Sequence, residues 1–315
     1  MFKHGRRSRR VHLLVFVPDF DAVHAIRAMM EDLNSKLNGD GRPIVGVSAG
    51  DLTSRLLEID EDCTVVPAHI WTPWYGLLGS KSGFDSLEEC FGDMTRNIHA
   101  VETGLSSDPE MNWAVPALAG KTIVSFSDAH SLPNMGRELT VFEGDATYTD
   151  LVAGLKNNLV EKTLEFFPEE GKYHFSGHRK CGVSQTPEET GRLGNRCHEC
   201  GRPLTLGVVH RVQELSGATT VPDEESKRPY TKLVPLIELV AHSMGKGRTA
   251  KSVGSAYQRI CAEFGGEVRV LTQTGYDDLH KVGGEDLAQA VTKVREGRVH
   301  ITAGFDGQYG VVEPE

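Results

Sequence analysis

Residues 11–18, VHLLVFVP, open a series of short apolar runs that decides the fold class of this sequence. The residues that follow, 20–37, repeat apolar side chains at helical spacing. Further apolar runs recur along the chain with helical stretches between them, at 44–47, 64–68, 100–103, 122–126 and 162–167. Strands that alternate with helices in this way are typical of parallel βα units. The sequence therefore predicts an α/β fold.

The composition excludes several classes of protein. The chain has 315 residues, of which 39% are hydrophobic and 25% charged. This balance supports one large domain or about two ordinary ones and excludes a disordered or collagen-like chain. The formal net charge of −10 argues against a non-specific DNA coat but allows a local basic channel. The sequence has six cysteines but no signal-peptide pattern and no apolar run of 18 residues, so we expect a cytoplasmic protein with reduced thiols and no membrane span.

The densest candidate site is a cluster with the spacing H-x2-C-x15-C-x2-C. It is formed by His178, Cys181, Cys197 and Cys200. Two pairs at x2 spacing, separated by an insert of this length, are typical of a closed structural zinc site. Spacing favours His178 as the histidine ligand but leaves open three rivals, which are His174, His198 and His210. The other cysteines are expected in the core, and they are Cys63, Cys90 and Cys261.

Polar residues of metal-binding type follow several of the predicted strands. They are His69, Glu102, and the pair Asp128 and His130 in the sequence SDAH. The carboxyl ends of parallel strands meet at one edge of a sheet, where chemistry is usually located. Asp128 and His130 are two residues apart, so in an extended chain both would point to one face. Carboxylate and imidazole ligands suit a divalent cation in phosphoester hydrolysis, although each residue alone is more often a packing or surface residue.

Two glycine-containing loops could bring a cation to a phosphate group. GSKSG carries Lys81 and NMGRE carries Arg137, and the alternative for each is a simple turn with a solvated cation. The tract WTPWYG adds Trp71 and Trp74. These rings would stack on a base if they are exposed and would belong to the core if they are buried.

The composition changes near residue 172 and predicts three domains. Residues 173–210 hold four of the 13 histidines and three of the six cysteines, with few apolar residues. The predicted domains are an α/β domain at 1–172, a zinc-binding module at 173–212 and a mainly helical domain at 213–315. Within the last, the periodicity predicts two helices in 232–264, another at 284–296 and a strand at 299–302. The acidic pair Glu169 and Glu170 is expected to be solvated.

Several long strings in this sequence are far more specific than any short motif. They are AHIWTPWYGLLGSKSGFDSLEECF (68–91), VETGLSSDPEMNW (101–113), SDAHSLPNMGRE (127–138), EFFPEEGKYHFSGHRKCGV (165–183), CHECGRPLTLGVVHRVQEL (197–215) and the terminal GFDGQYG. Taken together they resemble endonuclease Q, a family of DNA repair nucleases specific for deaminated bases. The resemblance extends over nearly the whole chain.

The resemblance implies a partial barrel of the polymerase-and-histidinol-phosphatase (PHP) type, with a zinc-binding insert and a mainly helical C-terminal part. It implies cleavage of DNA on the 5′ side of hypoxanthine, uracil, xanthine or an abasic site, with magnesium, manganese or zinc as the catalytic cation. The implied catalytic metal ligands are His69, Glu102, Asp128 and His130. The implied contacts to DNA are Lys81, Arg137, Trp71 and Trp74.

One departure from the family concerns the start of the chain. The family begins with a strand that bears an H-x-H ligand pair, and this sequence contains no H-x-H. We therefore expect the first βα units and part of the metal shell to be missing, through a truncated gene model or a real loss. Two other functions stay open, a superfamily phosphoesterase for a small phosphorylated substrate and a DNA-binding remnant without catalysis. Recruitment by a sliding clamp is also left open.

Overall fold

The computed structural model describes residues 2–4, 7–37, 43–217 and 227–315. Within these ranges the chain is a mixed α/β protein with short strands. In chain order the strands are β1 Phe2–His4, β2 Arg7–Arg9, β3 Leu13–Phe16, β4 Thr64–Pro67, β5 Ala100–Glu102, β6 Thr122–Val124, β7 Leu139–Phe142, β8 Val160–Phe166, β9 Ser176–His178, β10 Val183–Gln185, β11 Tyr230–Leu233, β12 Val299–Thr302 and β13 Val311–Pro314.

Helices separate most of these strands. They are α1 Phe20–Asp32, α2 Ala49–Ile59, α3 Leu87–Phe91, α4 Pro109–Trp113, α5 Tyr148–Asn157, α6 Pro187–Leu193, α7 Val208–Ser216, α8 Leu236–Ser243, α9 Lys251–Phe264, α10 Glu267–Thr272, α11 Tyr276–Gly283 and α12 Glu285–Arg295. Side chains at their N-termini cap several of them, as Asp19 does for α1 and Ser48 for α2. In the described ranges, no helix combines the length and the apolar character that a membrane crossing requires.

The expectation that neighbouring strands are parallel holds for only part of the chain. Strands β5 and β6 are parallel, with Val101 opposite Ile123, and α4 lies between them in sequence. Strands β3 and β4 are antiparallel, with Leu14 opposite Val66. Two helices, α1 and α2, connect this second pair, and an even number of connecting helices returns the chain in the opposite direction. The expected parallel pairing is therefore wrong for β3 and β4.

Strands β7 and β8 are also antiparallel, although a single helix connects them. The link 143–147 can span about 17 Å when extended, close to the roughly 15 Å length of the ten-residue helix α5. The link therefore runs alongside α5 in the direction opposite to the helix. Helix α5 then returns the chain to the end of β7, where β8 begins. Asn158 then turns the chain into β8 through a left-handed backbone conformation with φ of +54°.

Hydrogen bonds beyond the regular ladders join these small sheets into an open arc. The N–H of Ile70, just after β4, donates to the carbonyl oxygen of Glu102 in β5 at 3.1 Å. Next to β6, the N–H of Ser125 donates to Oγ1 of Thr140 in β7 at 2.8 Å. Strand β11 then adds to β8 in parallel, with Leu233 opposite Phe166. Along the described part of the chain these strands form no closed barrel.

Two large hydrophobic clusters stabilise the molecule. The first lies among α1, α2 and the strands up to β6, and Val208 and Val212 of α7 pack into it. The second lies among helices α8 to α12 and includes Leu164 of β8 and Leu233 of β11. Helix α7 thus runs across the predicted domain boundary after residue 212, and the domain division stays a prediction.

The C-terminal elements agree closely with the predicted helices and strand. Helices α8 and α9 lie within the predicted pair, α12 matches the predicted third helix, and β12 has the predicted bounds. The expected strand at 44–47 is wrong, because Ile44 forms only an isolated bridge with Lys36. An apolar run of four residues without a longer partner strand gains too few ladder hydrogen bonds to extend.

Candidate active site

Five of the predicted site residues line one large cleft of about 1210 Å³. They are His69, Trp74, Asp128, His130 and Arg137. Arg137 is held in place because its Nε donates a 3.0 Å hydrogen bond to the carbonyl oxygen of Ser127. The strand ends therefore bring imidazole, carboxylate and guanidinium groups to one surface, as the sequence predicts.

Residues of the C-terminal half that the sequence analysis assigned to no site also line the cleft. They include the cations Lys172, Lys246 and Arg248 and the glutamates Glu238, Glu267 and Glu313. Nζ of Lys172 lies 4.6 Å from the centre of the Tyr309 ring, and Nη1 of Arg248 forms a 3.0 Å ion pair with Glu238. Lys246 and Arg248 follow no recognisable motif, and the folded chain brings them to the cleft.

His69 lies in a dense network that includes a histidine absent from the predicted site. Its Nε2 is 3.0 Å from Nδ1 of His12, and its Nδ1 is 2.8 Å from Oγ1 of Thr72. The backbone N–H of His69 donates to Oε2 of Glu102 at 2.7 Å. His12 stands at the head of the VHLLVFVP run, and the antiparallel pairing of β3 with β4 places it beside His69. A histidine within an apolar run was the only sign in the sequence that His12 belongs to the site. The antiparallel pairing of β3 with β4 was needed to place it beside His69.

Gly104 permits the close approach of the His69 segment, and we predict a specific effect of filling it. Its φ is +58°, and a Cβ atom there would lie 2.4 Å from Cβ of His69. Gly104→Ala is expected to lower the free energy of unfolding by at least about 3 kcal/mol, from left-handed strain plus overpacking. Urea denaturation measures this change.

Gly120→Ala is the matched control for that prediction. Gly120 has a φ of +73°, but nothing lies within 4 Å of a Cβ atom placed there. It should lose only the roughly 1–2 kcal/mol of left-handed strain. Equal losses in the two variants would contradict the proposed clash with His69.

Asp128 and His130 come together by a turn and not along an extended chain. Asp128 has a φ of +43°. Nδ1 of His130 lies 2.9 Å from the carbonyl oxygen of Asp128 and 3.8 Å from its Oδ1. The expected extended geometry is therefore wrong, although the two side chains do lie close together. A non-glycine residue held in the left-handed region is a common feature of functional sites.

Three buried glutamates lie behind this surface. Burial is the main cause that raises the pKa of Glu102 to about 7. The carboxylates of Asp128 and Glu165 act in the same direction, and the hydrogen bond from the His69 N–H opposes them. Burial likewise raises the pKa of Glu165 to about 7, although hydroxyls of Thr103 and Ser125 donate hydrogen bonds to its Oε2. The pKa of Glu138 is raised well above its usual range by burial and by Glu165. Burial thus favours the uncharged form of these three carboxyl groups, and a bound cation would favour their charged form.

The donor chemistry of the cleft fits a divalent cation, although the predicted ligands are not gathered around one point. Two carboxylates, from Glu102 and Asp128, and two imidazoles, from His69 and His130, are ligand types that such cations accept. Within the described ranges, the one group of three or more such residues with ligand atoms mutually within 4.8 Å lies elsewhere, in the His/Cys cluster. The structure brings His69 to Glu102 and Asp128 to His130, as two pairs.

The His/Cys cluster is assembled as its spacing predicts. The ligand atoms of His178, Cys181, Cys197 and Cys200 all lie within 4.8 Å of one another. Ligands of a tetrahedral zinc ion are separated by about 3.3–3.8 Å, so the set fits such an ion after small adjustments. A backbone hydrogen bond from Arg202 lowers the pKa of the Cys200 thiol, which favours the thiolate form that a metal requires.

The structure also distinguishes His178 from its three rivals. His178 ends β9, and its Nδ1 is 3.4 Å from Sγ of Cys200. His198 and His210 instead lie close to the carboxylates of Glu199 and Glu214. Each knuckle turn is completed by a glycine with positive φ. They are Gly182, at +66°, and Gly201, at +71°.

The structure separates the predicted DNA contacts into three groups. Trp71 is 1% exposed, and its Nε1 donates to Oδ1 of Asn112 at 2.8 Å, so it belongs to the core and its expected contact with DNA is wrong. Trp74 is 44% exposed at the cleft and packs edge-on against Tyr173. Lys81 is exposed on a loop whose backbone bonds to Pro73, and its role stays a prediction.

The expectation that Glu169 and Glu170 are solvated is wrong for Glu170. It is only 8% exposed, although it borders the cleft. Its pKa is raised to about 8, mainly by burial and also by the carboxylates of Glu238 and Glu169, while Arg248 opposes this rise. The folded protein therefore keeps this carboxyl protonated near neutrality.

This raised pKa predicts a pH-dependent stability. The unfolded chain releases the Glu170 proton near pH 4.5, whereas the folded chain keeps it until about pH 8. The residue's contribution to stability therefore falls as pH rises through this window and levels off above it. Between pH 4.5 and about pH 8, the free energy of unfolding of Glu170→Gln should rise by roughly 2–4 kcal/mol relative to that of the wild type. Urea unfolding at several pH values tests this, and Glu161→Gln, on the exposed side of β8, should show no such trend.

Comparisons with known proteins agree with this fold. Residues 235–298 match a family model described as the MJ0043 C-terminal domain. The uncharacterised protein MJ0043 of Methanocaldococcus jannaschii is 30% identical over 269 residues, which are 81% of this chain and 33% of that protein. The chain thus spans about a third of the length of this relative. The uncharacterised protein YqxK of Bacillus subtilis is 29% identical over 314 residues, 98% of this chain and 75% of that protein.

Two crystal structures resemble the chain over almost its whole length. One is the lesion-specific endonuclease PfuEndoQ from Pyrococcus furiosus, with a TM-score of 0.85 and 29% identity over 97% of this chain and 75% of that one. The other is endonuclease Q in complex with a 27-mer duplex substrate that carries an abasic lesion at the active site. It has a TM-score of 0.85 and 30% identity over 98% of this chain and 77% of that one.

Proposed function

This chain belongs to the endonuclease Q family, and from that premise we propose that it is a DNA endonuclease of DNA repair. Its reaction is hydrolysis of the phosphodiester on the 5′ side of a deaminated base, namely hypoxanthine, uracil or xanthine, or of an abasic site. The observation that carries the proposal is the cleft, whose lining combines Asp128, His130 and His69 with the cations Arg137, Lys172, Lys246 and Arg248. Its volume of about 1210 Å³ exceeds that of most small-molecule pockets, which favours a polymer substrate.

The catalytic cation of this proposal is magnesium, manganese or zinc, held by His69, Glu102, Asp128 and His130. When bound, such a cation activates water and neutralises charge on the scissile phosphate. Glu102 is oriented for this role by the backbone N–H of His69. His12 is the further residue that the structure adds, since its ring nitrogen faces that of His69.

Side chains around the cleft position the substrate in this proposal. The Arg137 guanidinium is held from behind by Ser127, which suits it to a phosphate oxygen of the cut strand. Lys172, Lys246 and Arg248 would contact phosphates of the DNA backbone at the cleft. Affinity for DNA would therefore fall steeply as the salt concentration rises. Trp74 at the rim would stack on an unpaired base.

The proposal also includes a domain organisation, which is the one that the family resemblance implies. The open arc of β3 to β8 and β11 corresponds to part of a PHP-type barrel. Residues 173–212 are its insert, with a structural zinc ion held by the His/Cys cluster, and residues 213–315 follow as the mainly helical domain. Recruitment by a sliding clamp is a further part of the proposal.

The test is cleavage of an end-labelled duplex that carries one deoxyinosine, with magnesium or manganese and with EDTA as the comparison. We expect one nick on the 5′ side of the lesion, lost in EDTA, and no nick in the unmodified duplex. Binding to the lesion without any nick would favour the DNA-binding remnant. Hydrolysis of p-nitrophenyl phosphate without DNA cleavage would favour a small-substrate phosphoesterase.

A further inference from the structure

The loop directly after the SDAH segment presents apolar side chains to solvent. Leu132 is 82% exposed and Met135 is 64% exposed, and they are among the most exposed large apolar residues of the described chain. Neither side chain packs into the hydrophobic clusters found in the described ranges. Exposed apolar residues in a group usually mark a binding surface, because water solvates them poorly.

This loop is closed by local hydrogen bonds and contributes to the lining of the cleft. A 3-10 turn at Leu132–Asn134 forms its tip, where the N–H of Asn134 donates to Ser131 and that of Met135 to Leu132. The bond from Arg137 Nε to the carbonyl of Ser127 closes its base. Pro133, Asn134 and Met135 line the cleft beside Asp128 and His130. The result is a short apolar projection next to the predicted cleavage site.

The aromatic residues at the same rim are committed to other partners. Trp74 packs edge-on against Tyr173, with ring centres 5.2 Å apart, and Tyr75 stacks on His12 at 4.6 Å. These rings form a wall that can flank a base. Met135 at the cleft, and Leu132 beside it in the same loop, keep apolar surface exposed for a penetrating contact.

We propose that Leu132 and Met135 form a wedge that enters the duplex at the lesion and fills the space left by the extruded nucleotide. This inference rests on the proposed function and adds the part of the site that opens the duplex. Extruding a nucleotide breaks its pairing and stacking, and that cost is smallest for damaged or unpaired bases. Apolar side chains inserted between base steps are a known way for a protein to stabilise unstacked DNA.

The test compares duplex and single-stranded substrates under single-turnover conditions. For Leu132→Ala/Met135→Ala we expect about a tenfold slower nicking of a deoxyinosine paired in a duplex, and a change of at most about twofold on the same strand without its complement. The control is Val23→Ala/Leu193→Ala, which removes two exposed apolar side chains outside the cleft and should behave as the wild type on both substrates. Equal rates for the wedge variant and the wild type on the duplex, or equal losses on both substrates, would overturn the wedge.

A binding measurement keeps the wedge testable apart from cleavage. With 2-aminopurine beside the lesion, the wild-type complex in EDTA should brighten as the base stack opens, whereas the wedge variant should bind by anisotropy without brightening. If the wild type cuts no lesion duplex, the proposed nuclease function fails, and this fluorescence difference still decides the wedge. Brightening that is the same in both proteins would overturn it.

Discussion

An Asp128→Asn variant is expected to nick the deoxyinosine duplex at least about 10²-fold more slowly than the wild type, because it would lose a charged ligand of the proposed catalytic cation. Asparagine keeps the size of the side chain and also tolerates the positive φ of this position, so the backbone is not strained. Asp128 is about half exposed and lies outside the hydrophobic clusters, and the fold should therefore be intact. Single-turnover cleavage and a thermal melt measure the two properties.

The control for this variant is Asp277→Asn, which removes an exposed carboxylate of α11 away from the cleft. It should cut at the wild-type rate. DNA binding, measured by anisotropy with EDTA, should persist in both variants. Wild-type nicking by the Asp128 variant would disprove its role as a metal ligand.

A Cys197→Ser variant is expected to lose the zinc ion proposed for the His/Cys cluster and to melt at least about 5 °C lower. The physical reason is that a closed zinc site contributes its binding free energy to folding. Around Cys197 the packing residues are few, chiefly Val183 and Leu204, so little else stabilises this region. Zinc content per chain and thermal unfolding are the measurements.

Two further variants separate zinc loss from damage to packing. Cys200 is exposed, so its replacement by serine should not disturb the core. We expect Cys200→Ser to lose zinc as well, because it removes a proposed ligand. Cys261 is half-buried and outside the cluster, and Cys261→Ser should retain one zinc ion. Full zinc occupancy in the Cys197 and Cys200 variants would refute the ligand set.

The two tryptophans of one tract show where prediction from sequence ends. Trp71 and Trp74 are three residues apart and chemically identical, yet one is 1% and the other 44% exposed. The burial of Trp71 depends on its hydrogen bond to Asn112, which lies 41 positions away. No local pattern encodes that contact.

The sequence by itself determined the features that short-range chemistry controls. The spacing of His178, Cys181, Cys197 and Cys200 defined their cluster, since ligands two residues apart in a knuckle turn can reach one point wherever the module lies. The helix period defined α12, and the short run at 299–302 defined β12. The long strings were specific enough to identify the family.

Only the tertiary structure decided what depends on direction and distant packing. It paired β3 with β4 antiparallel and so brought His12 to His69, and it placed Lys172 and Arg248 in the same cleft as Asp128. Apolar periodicity reports which residues are buried, but it carries little information about which distant segment buries them. The direction in which strands pair and the set of residues that line the cleft depend on contacts between segments far apart in the chain. Only the assembled fold contains these contacts.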